Sequence, residues 1–226
     1  MFLSRRSTQA EYFDTLRPER ETAQFYASLA RLNRLFLFAR PFQRTLPALL
    51  GGDSCKRLSL LDLGAGDGLL GKVLGQWAAK RNWKWETTNL DVNVRALSAN
   101  SGTANVAGSV AALPFRDRSF DVVIASQMTH HLTDEQAEQH LREGWRVARQ
   151  ALVISDLHRN AALYAGLWLV LRLGRFPRNV GDDGLLSVRR GWHVDELDRI
   201  ARKAGIAEAK VWLYFGARVL LGAARD

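Results

Sequence analysis

Only one cysteine, Cys55, occurs in 226 residues, which excludes an internal disulfide framework. Proline is scarce, at five residues, and no stretch rich in proline and serine marks a linker. The chain, 47% hydrophobic, is therefore read as one domain over 1–226 with enough apolar residues for a full core. Long apolar runs are missing as well. The longest, Ala161 to Leu171, is too short to cross a bilayer and stops at Arg172, so it is read as a core or interfacial helix. The opening Met1-Phe2-Leu3-Ser4-Arg5-Arg6 lacks the apolar segment of a signal peptide, and a cytoplasmic location is expected. Histidines and acids show no metal-ligand spacing, so no metal is expected and activity should survive EDTA.

Acidic residues are outnumbered, 23 against 32 basic ones, for a net charge of +9. Such a surface suits nucleic acid, an acidic substrate or the anionic face of a membrane, and charge alone does not choose among them. Arginines recur at Arg5, Arg6, Arg17, Arg20, Arg31, Arg34, Arg40 and Arg44, and again at Arg159, Arg172, Arg175, Arg178, Arg189 and Arg190. A solvated face without function weighs about as much here as a functional patch.

What the sequence does contain is a decapeptide, Leu61-Asp62-Leu63-Gly64-Ala65-Gly66-Asp67-Gly68-Leu69-Leu70, between an apolar strand and an apolar-striped helix. Alternating glycines clear side chains from the inside of a tight bend, so a ligand can approach the amides that open the helix. Leu69, Leu70, Val73, Leu74 and Trp77 repeat at helical spacing after it. The next strand, Trp83 to Leu90, ends at Asp91, 23 residues beyond Gly68, where a doubly wound sheet places a carboxylate against ribose hydroxyls.

These residues resemble the class I S-adenosylmethionine-dependent methyltransferases, whose first motif, acid-x-Gly-x-Gly-x-Gly, is matched by Asp62, Gly64, Gly66 and Gly68. A dehydrogenase fingerprint would put its third glycine at Leu69. The resemblance implies an α/β, Rossmann-like sheet of seven mostly parallel strands with an antiparallel last strand. It implies S-adenosyl-L-methionine as cofactor, held by Asp62, Gly64, Ala65, Gly66, Gly68, Asp91, Val92, Ser109, Val110 and Gln127. Many members carry Gly-Asp-Ala before a Leu-Pro-Phe segment; here Gly108-Ser109-Val110 precedes Leu113-Pro114-Phe115, so a hydroxyl stands where the adenine amino group would meet a carboxylate.

In chain order, residues 1–50 read as helical, with an apolar stripe at Tyr26, Leu29, Leu32, Leu35 and Phe36 that Pro41 ends, and the resemblance implies that they lie over the cofactor cleft as a lid. Tyr26 and Asn33 would contact substrate there, or simply pack on the sheet edge. The cofactor core spans 56–157. Its strand four ends at Ser126-Gln127-Met128-Thr129-His130-His131, before the capping box Thr133-Asp134-Glu135-Gln136. Ligands of parallel sheets bind at the strands' carboxyl ends, so His130 or His131 could take a proton from a hydroxyl nucleophile, or merely brace the loop. Strand five ends at Asp156-Leu157-His158-Arg159. His158 and Arg159 are read as substrate contacts, with an ion pair of Arg159 to Asp156 or another acid as the competing role. A lid insertion, 158–192, holds the apolar run and a polar loop Gly181-Asp182-Asp183-Gly184. Residues 193–226 supply the helix Val194 to Ala204, stopped by Gly205, and a closing hairpin.

Taken whole, with Ala30-Arg31-Leu32-Asn33-Arg34, the His-His-Leu stretch, Ser155 to Arg159 and Asp183 to Arg190, the chain is similar to small bacterial methyltransferases of the quinone-biosynthesis type, whose members often accompany polyketide genes. That implies methyl transfer to an oxygen or activated carbon of a small aromatic, quinone-like or polyketide-derived acceptor. A peripheral membrane association stays open. Two alternatives remain: a nucleic-acid methyltransferase, favoured by the charge but without an appended RNA-binding module or an Asn/Asp-Pro-Pro-Tyr/Phe motif, and a silent cofactor-binding regulator.

Overall fold

A computed structural model describes residues 3–15, 18–51, 55–98, 100 and 104–225. Seven strands form one sheet in the order β3-β2-β1-β4-β5-β7-β6. They are β1 (Arg57–Leu63), β2 (Lys84–Asp91), β3 (Ala104–Ala107), β4 (Phe120–Ser126), β5 (Ala148–Leu157), β6 (Lys210–Tyr214) and β7 (Arg218–Ala224). β1 to β5 pair in parallel, and β7 inserts antiparallel between β5 and β6. The strand order reverses between β1 and β4, which opens a crevice at their carboxyl ends.

Among the described residues, eight α-helices accompany the sheet: α1 (Glu19–Leu35), α2 (Arg40–Leu50), α3 (Leu69–Ala79), α4 (Val94–Ser98), α5 (Asp134–Val147), α6 (Ala161–Leu173), α7 (Arg178–Arg190) and α8 (Val194–Lys203). The two-residue period of the central strands splits the core by face. Leu60, Val122 and Ile124 pack with Phe42 and Leu46 of α2 and Leu70 and Leu74 of α3. Leu61, Val123 and Ala125 pack on the other side with Leu141 of α5 and Leu197 of α8. A third, smaller core joins Leu32 of α1 to Leu167 and Leu171 of α6 and Val180 and Val188 of α7.

Most boundaries agree with the sequence reading. The Thr133 capping box forms, with Thr133 Oγ1 accepting the Gln136 N–H at 3.2 Å and Gln136 Oε1 accepting that of Thr133 at 3.0 Å. Gly205 stops α8 with φ +79°. Two expectations are overturned. Pro41 does not end a helix but sits in the first turn of α2, where its missing N–H costs nothing. The expected loop Gly181 to Gly184 lies inside α7, because Asp183 faces inward and its carboxylate accepts the N–H groups of Tyr12 at 2.7 Å and Phe13 at 3.1 Å. That tertiary contact outweighs the weak helix propensity of the stretch.

The glycine turn is held in place by close packing of α3 on β2. A methyl group added at Gly71 would lie 2.8 Å from Thr87 Cγ2 and 2.9 Å from its Cβ. Gly71→Ala should therefore lower stability by about 1–3 kcal/mol although alanine favours helix by about 1 kcal/mol. Chemical denaturation checks this, and adding Thr87→Ala should restore most of the loss; a stabilised single variant would show that the contact is looser than described.

Candidate active site

The turn after β1 has its three alternating glycines in the left-handed region, Gly64 at φ +69°, Gly66 at +56° and Gly68 at +72°. The N–H groups of Gly64 and Ala65 donate to Leu90 O at 2.8 and 3.1 Å, tying the turn to the end of β2. Asp91 fastens it further: Oδ2 accepts the Gly66 N–H at 2.7 Å and Oδ1 accepts that of Asn93 at 2.8 Å. Side chains lie against each glycine. A Cβ at Gly64 would collide with Met128, one at Gly68 with Asn100, and one at Gly66 would come 3.0 Å from Tyr26 Cε1.

This cradle is rich in acids and short of cations. Asp62 is fully enclosed, and burial, then Asp91 and Asp67, raise its carboxyl well above the usual range; its Oδ2 has no hydrogen-bond partner. Burial, then Asp91 and Asp67, likewise push the Tyr26 phenol above its ordinary value, so it stays protonated over Gly66. Asp67 Oδ1 accepts the Leu69 N–H at 3.2 Å at the start of α3. An orphaned carboxylate oxygen beside a turn stripped of side chains fits a cofactor carrying a sulfonium and an ammonium.

The other expected cofactor contacts fall around the turn. Gln127 has φ +53°; its amide donates to Ser155 O at 2.9 Å and its side chain donates to Asn33 Oδ1 at 2.9 Å. Val92 is exposed, and Val110 packs half-buried on the core below. The Ser109 hydroxyl is exposed and accepts the Ala111 N–H at 3.2 Å. A small cleft lined by Phe13, Thr15, Thr22, Phe25, Tyr26, Asn93 and Arg95 opens beside the end of β2.

The histidine pair sits in a short 3-10 turn, Thr129–His131, just past β4. His130 is buried; its Nδ1 is 2.6 Å from Asp156 Oδ1 and its N–H donates to Asp156 Oδ2 at 2.8 Å. Burial works to raise the Asp156 carboxyl, but the facing His130 and two backbone donors, Leu157 and His130, outweigh it and hold it low. With Nδ1 held by a carboxylate, Nε2 of a neutral His130 is the bare nitrogen; it has no hydrogen-bond partner and lies 3.7 Å from Glu11 Oε1. His131 repeats the pattern, with Nδ1 2.7 Å from Asp14 Oδ1 and Nε2 3.9 Å from Glu11 Oε2.

Glu11 and Asp14 come from the N-terminal segment and escaped the sequence reading, as did Arg190. Arg190 donates to Asp14 Oδ2 at 2.7 Å and to the carbonyls of His130 and His131 at 3.2 and 2.9 Å. Burial pushes Glu11 up to about 7, against the pull of His131, the Ser187 hydroxyl and Arg190. Burial raises Asp14 too, but His131 and Arg190 overcome it and hold that carboxyl far down. Glu11, His130 and His131 offer three ligand atoms within 4.8 Å of one another, so the cluster could hold a metal ion that sequence spacing did not suggest. One signal for the missed residues was available: Val180, Asp183, Leu186 and Arg190 share one face of α7, and all are buried.

Arg159 is not where an acceptor would meet it. It is fully buried, its guanidinium gripping Glu196 at 2.6 and 3.0 Å, the Leu3 carbonyl at 3.0 Å and the Gly191 carbonyl. The ion pair weighed against a substrate role is thus formed, with Glu196 of α8 rather than Asp156, because Glu196 also caps that helix by accepting the His193 N–H at 2.9 Å. His158 is likewise engaged, its Nδ1 2.9 Å from Gly216 O in the β6–β7 turn.

Of the buried side-chain polar atoms without partners among the described residues, Asp62 Oδ2 near the end of β1, Ser126 Oγ and Thr129 Oγ1 at the end of β4, and His130 Nε2 and Ser155 Oγ near the end of β5 lie toward the carboxyl ends of the strands, while others, among them Thr87 Oγ1, both His140 ring nitrogens and Tyr214 Oη, lie elsewhere. The carboxyl ends are where open parallel sheets bind their ligands.

Comparison with known proteins agrees with this geometry. Residues 61–153 match a family model described as "Methyltransferase domain". No curated protein matches the sequence. Among solved structures, a SAM-dependent methyltransferase from Aquifex aeolicus is 17% identical, with 92% of this chain and 99% of that one aligned at a TM-score of 0.63. A TehB-like SAM-dependent methyltransferase from Corynebacterium glutamicum is 13% identical over 92% and 100% of the chains, TM-score 0.58. The CurJ carbon methyltransferase is 15% identical over 80% and 51%, TM-score 0.56. The seven-stranded fold is shared with these structures, and residues 61–153 of this chain match the methyltransferase-domain model.

Two outcomes test the site. Asp91→Ala should weaken S-adenosylhomocysteine binding about 10- to 100-fold by calorimetry, since a charged acceptor and the anchor of Gly66 go together; unchanged affinity would remove Asp91 from the cofactor site. For Glu11, the folded value near 7 lies above the ordinary 4.5, so both states are protonated below 4.5 and only the unfolded chain ionises between. Stability should fall as pH rises across that window, by about 3 kcal/mol in all, and level off above 7. Glu11→Gln should lack that component in denaturant titrations run from pH 4 to 8.

Proposed function

We propose that this protein transfers a methyl group from S-adenosylmethionine to an oxygen, or an activated carbon, of a small aromatic, quinone-like or polyketide-derived acceptor. The observation that carries the reading is His130, whose Nδ1 is held by Asp156 while its buried Nε2 stands without a partner at the carboxyl end of β4. S-adenosylmethionine supplies a methyl group on a positively charged sulfur. Asp62, Gly64, Ala65, Gly66 and Gly68 would hold its amino-acid end, Asp91 with Val92 its ribose, and Ser109, Val110 and Gln127 would border the rest. Met128, against Gly64, links that cradle to the histidine turn.

On the acceptor side, the new bond forms between the acceptor oxygen and the methyl carbon as the carbon–sulfur bond breaks and its electron pair returns to sulfur. The hydroxyl proton passes to His130 Nε2, and Asp156 stabilises the resulting imidazolium. His131, braced by Asp14, lies beside His130, and from α1 Tyr26 lies against Gly66 while Asn33 accepts from the Gln127 side chain. Glu11 and its neighbours cover His130, while His131 stays partly exposed. Placement and dryness supply most of the rate, since a sulfonium needs in-line approach and at most one proton acceptor. Arg159 is left out of the acceptor pocket because Glu196 holds it.

The test is radiolabelled methyl transfer over a panel of phenols, quinols and polyketide-like acceptors. With an accepted substrate, His130→Ala should lower kcat about 100- to 10,000-fold while S-adenosylhomocysteine affinity stays within about twofold. Activity should persist in EDTA. Full turnover by His130→Ala would sink the assignment of the base, and loss of activity in EDTA restored by a divalent ion would turn Glu11, His130 and His131 from proton handling to metal binding.

A further inference from the structure

We propose that the exposed face of α6, with the neighbouring end of α1, docks on the surface of an anionic lipid bilayer. α6 is apolar on both sides, which is unusual for a helix with one side in water. Leu167 and Leu171 turn inward to the third core, whereas Ala165, Trp168, Leu169 and Leu173 turn outward along a helical stripe. Trp168 is 50% exposed and Leu173 is 74% exposed. Leu35, at the last turn of α1, is 60% exposed and belongs to the same surface: its helix neighbour Leu32 packs against Leu167 and Leu171, and the Arg31 guanidinium lies 4.7 Å above the Phe176 ring.

The charge around these residues has one sign. No aspartate or glutamate occurs from Leu157 to Gly181, nor from Thr22 to Gly51. Arg31, Arg34, Arg172 and Arg175 are exposed and form no ion pair among the described residues, and Arg178 reaches only Asp182, at 3.6 Å. Leucines and a tryptophan rimmed by unpaired guanidinium groups suit a bilayer surface: the apolar side chains enter the acyl boundary while the arginines reach lipid phosphates. Of the described helices none is long and apolar enough to cross the membrane, so the contact is peripheral. Charge complementarity selects an anionic surface over a neutral one, and the rim of like charges opposes pairing of this face with a second copy of itself.

The test needs no acceptor and no turnover, so it stands apart from the proposed reaction. The whole protein is mixed with vesicles of phosphatidylcholine alone, or with about one third phosphatidylglycerol, and flotation measures the bound fraction. Binding is expected to the anionic vesicles only, and to fall steeply when salt is raised severalfold. Trp168→Ser with Leu173→Ser, and separately Arg172→Glu with Arg175→Glu, should each weaken it by about 10-fold or more. All four positions are exposed, so both variants should melt like the parent. Equal binding to the two vesicle types, no binding to either, binding unmoved by both variants, or dimerisation abolished by the leucine and tryptophan changes would each overturn the proposal.

Discussion

Three buried carboxylates in one corner of the molecule, Glu11, Asp156 and Asp183, with Asp14 at their exposed rim, govern what lies around them, because a buried carboxylate must find donors where water is scarce. Asp156 takes its donors from His130 and the start of the loop beyond β5; Asp183 takes the backbone of Tyr12 and Phe13; Asp14 takes His131 and Arg190. Satisfying them pulls the N-terminal segment, the turn after β4 and α7 onto one another. The arrangement of the site is thus set by the demand for hydrogen bonds more than by apolar packing, which is confined to the sheet faces and the small core under α6. Arg190 links the set, since from α7 its guanidinium reaches one carboxylate and three backbone carbonyls of two other segments, the N-terminal one and the turn after β4.

Around the glycine turn the order of forces is reversed. There the sheet supplies the geometry, and the polar groups are left in surplus. Leu90 O and Asp91 fix the backbone of the turn, yet Asp62 faces the interior without a donor. A cation beside such an atom would offset the cost of burying it, so the turn would favour a positively charged ligand.

The difference between these regions explains what could be read from the sequence. The first motif is local: acid and glycines within seven residues dictate a bend that only a close-approaching ligand requires, and Asp91 follows at the distance one βαβ unit imposes. The histidine pair was legible for the same reason, being placed by the end of a strand and a capping box. Glu11, Asp14 and Arg190 were not, because their meaning is pairwise and remote. His131 meets Asp14 across 117 positions and Arg190 meets Asp14 across 176, and no periodicity encodes such a meeting. Arg159 failed for the opposite reason: its place at a strand's carboxyl end pointed to the crevice, and only the position of Glu196 on α8 shows that the side chain turns away. The Gly181 to Gly184 stretch has turn composition, and it is helical because a buried carboxylate within it serves the N-terminal segment.

A consequence for access follows from where the strong and weak contacts lie. His130 is enclosed, so an acceptor reaches its Nε2 only if something moves, and the sheet is the least mobile part of the molecule. The N-terminal segment is fastened differently. Arg6 pairs with Asp134, whose carboxylate is mostly in water, and also donates to the carbonyls of His130, Leu132 and Arg190. Further along, Asp14 is held by His131 and Arg190, the amides of Tyr12 and Phe13 by Asp183, and Glu11 is a carboxyl that burial pushes up to about 7. Displacing the segment would break those ties but leave the Asp156–His130 contact, which belongs wholly to β4 and β5 and their ends. The Asp156–His130 pair is thus built on strand ends and its cover on a separate segment of the chain, a division of labour that suits a dry site.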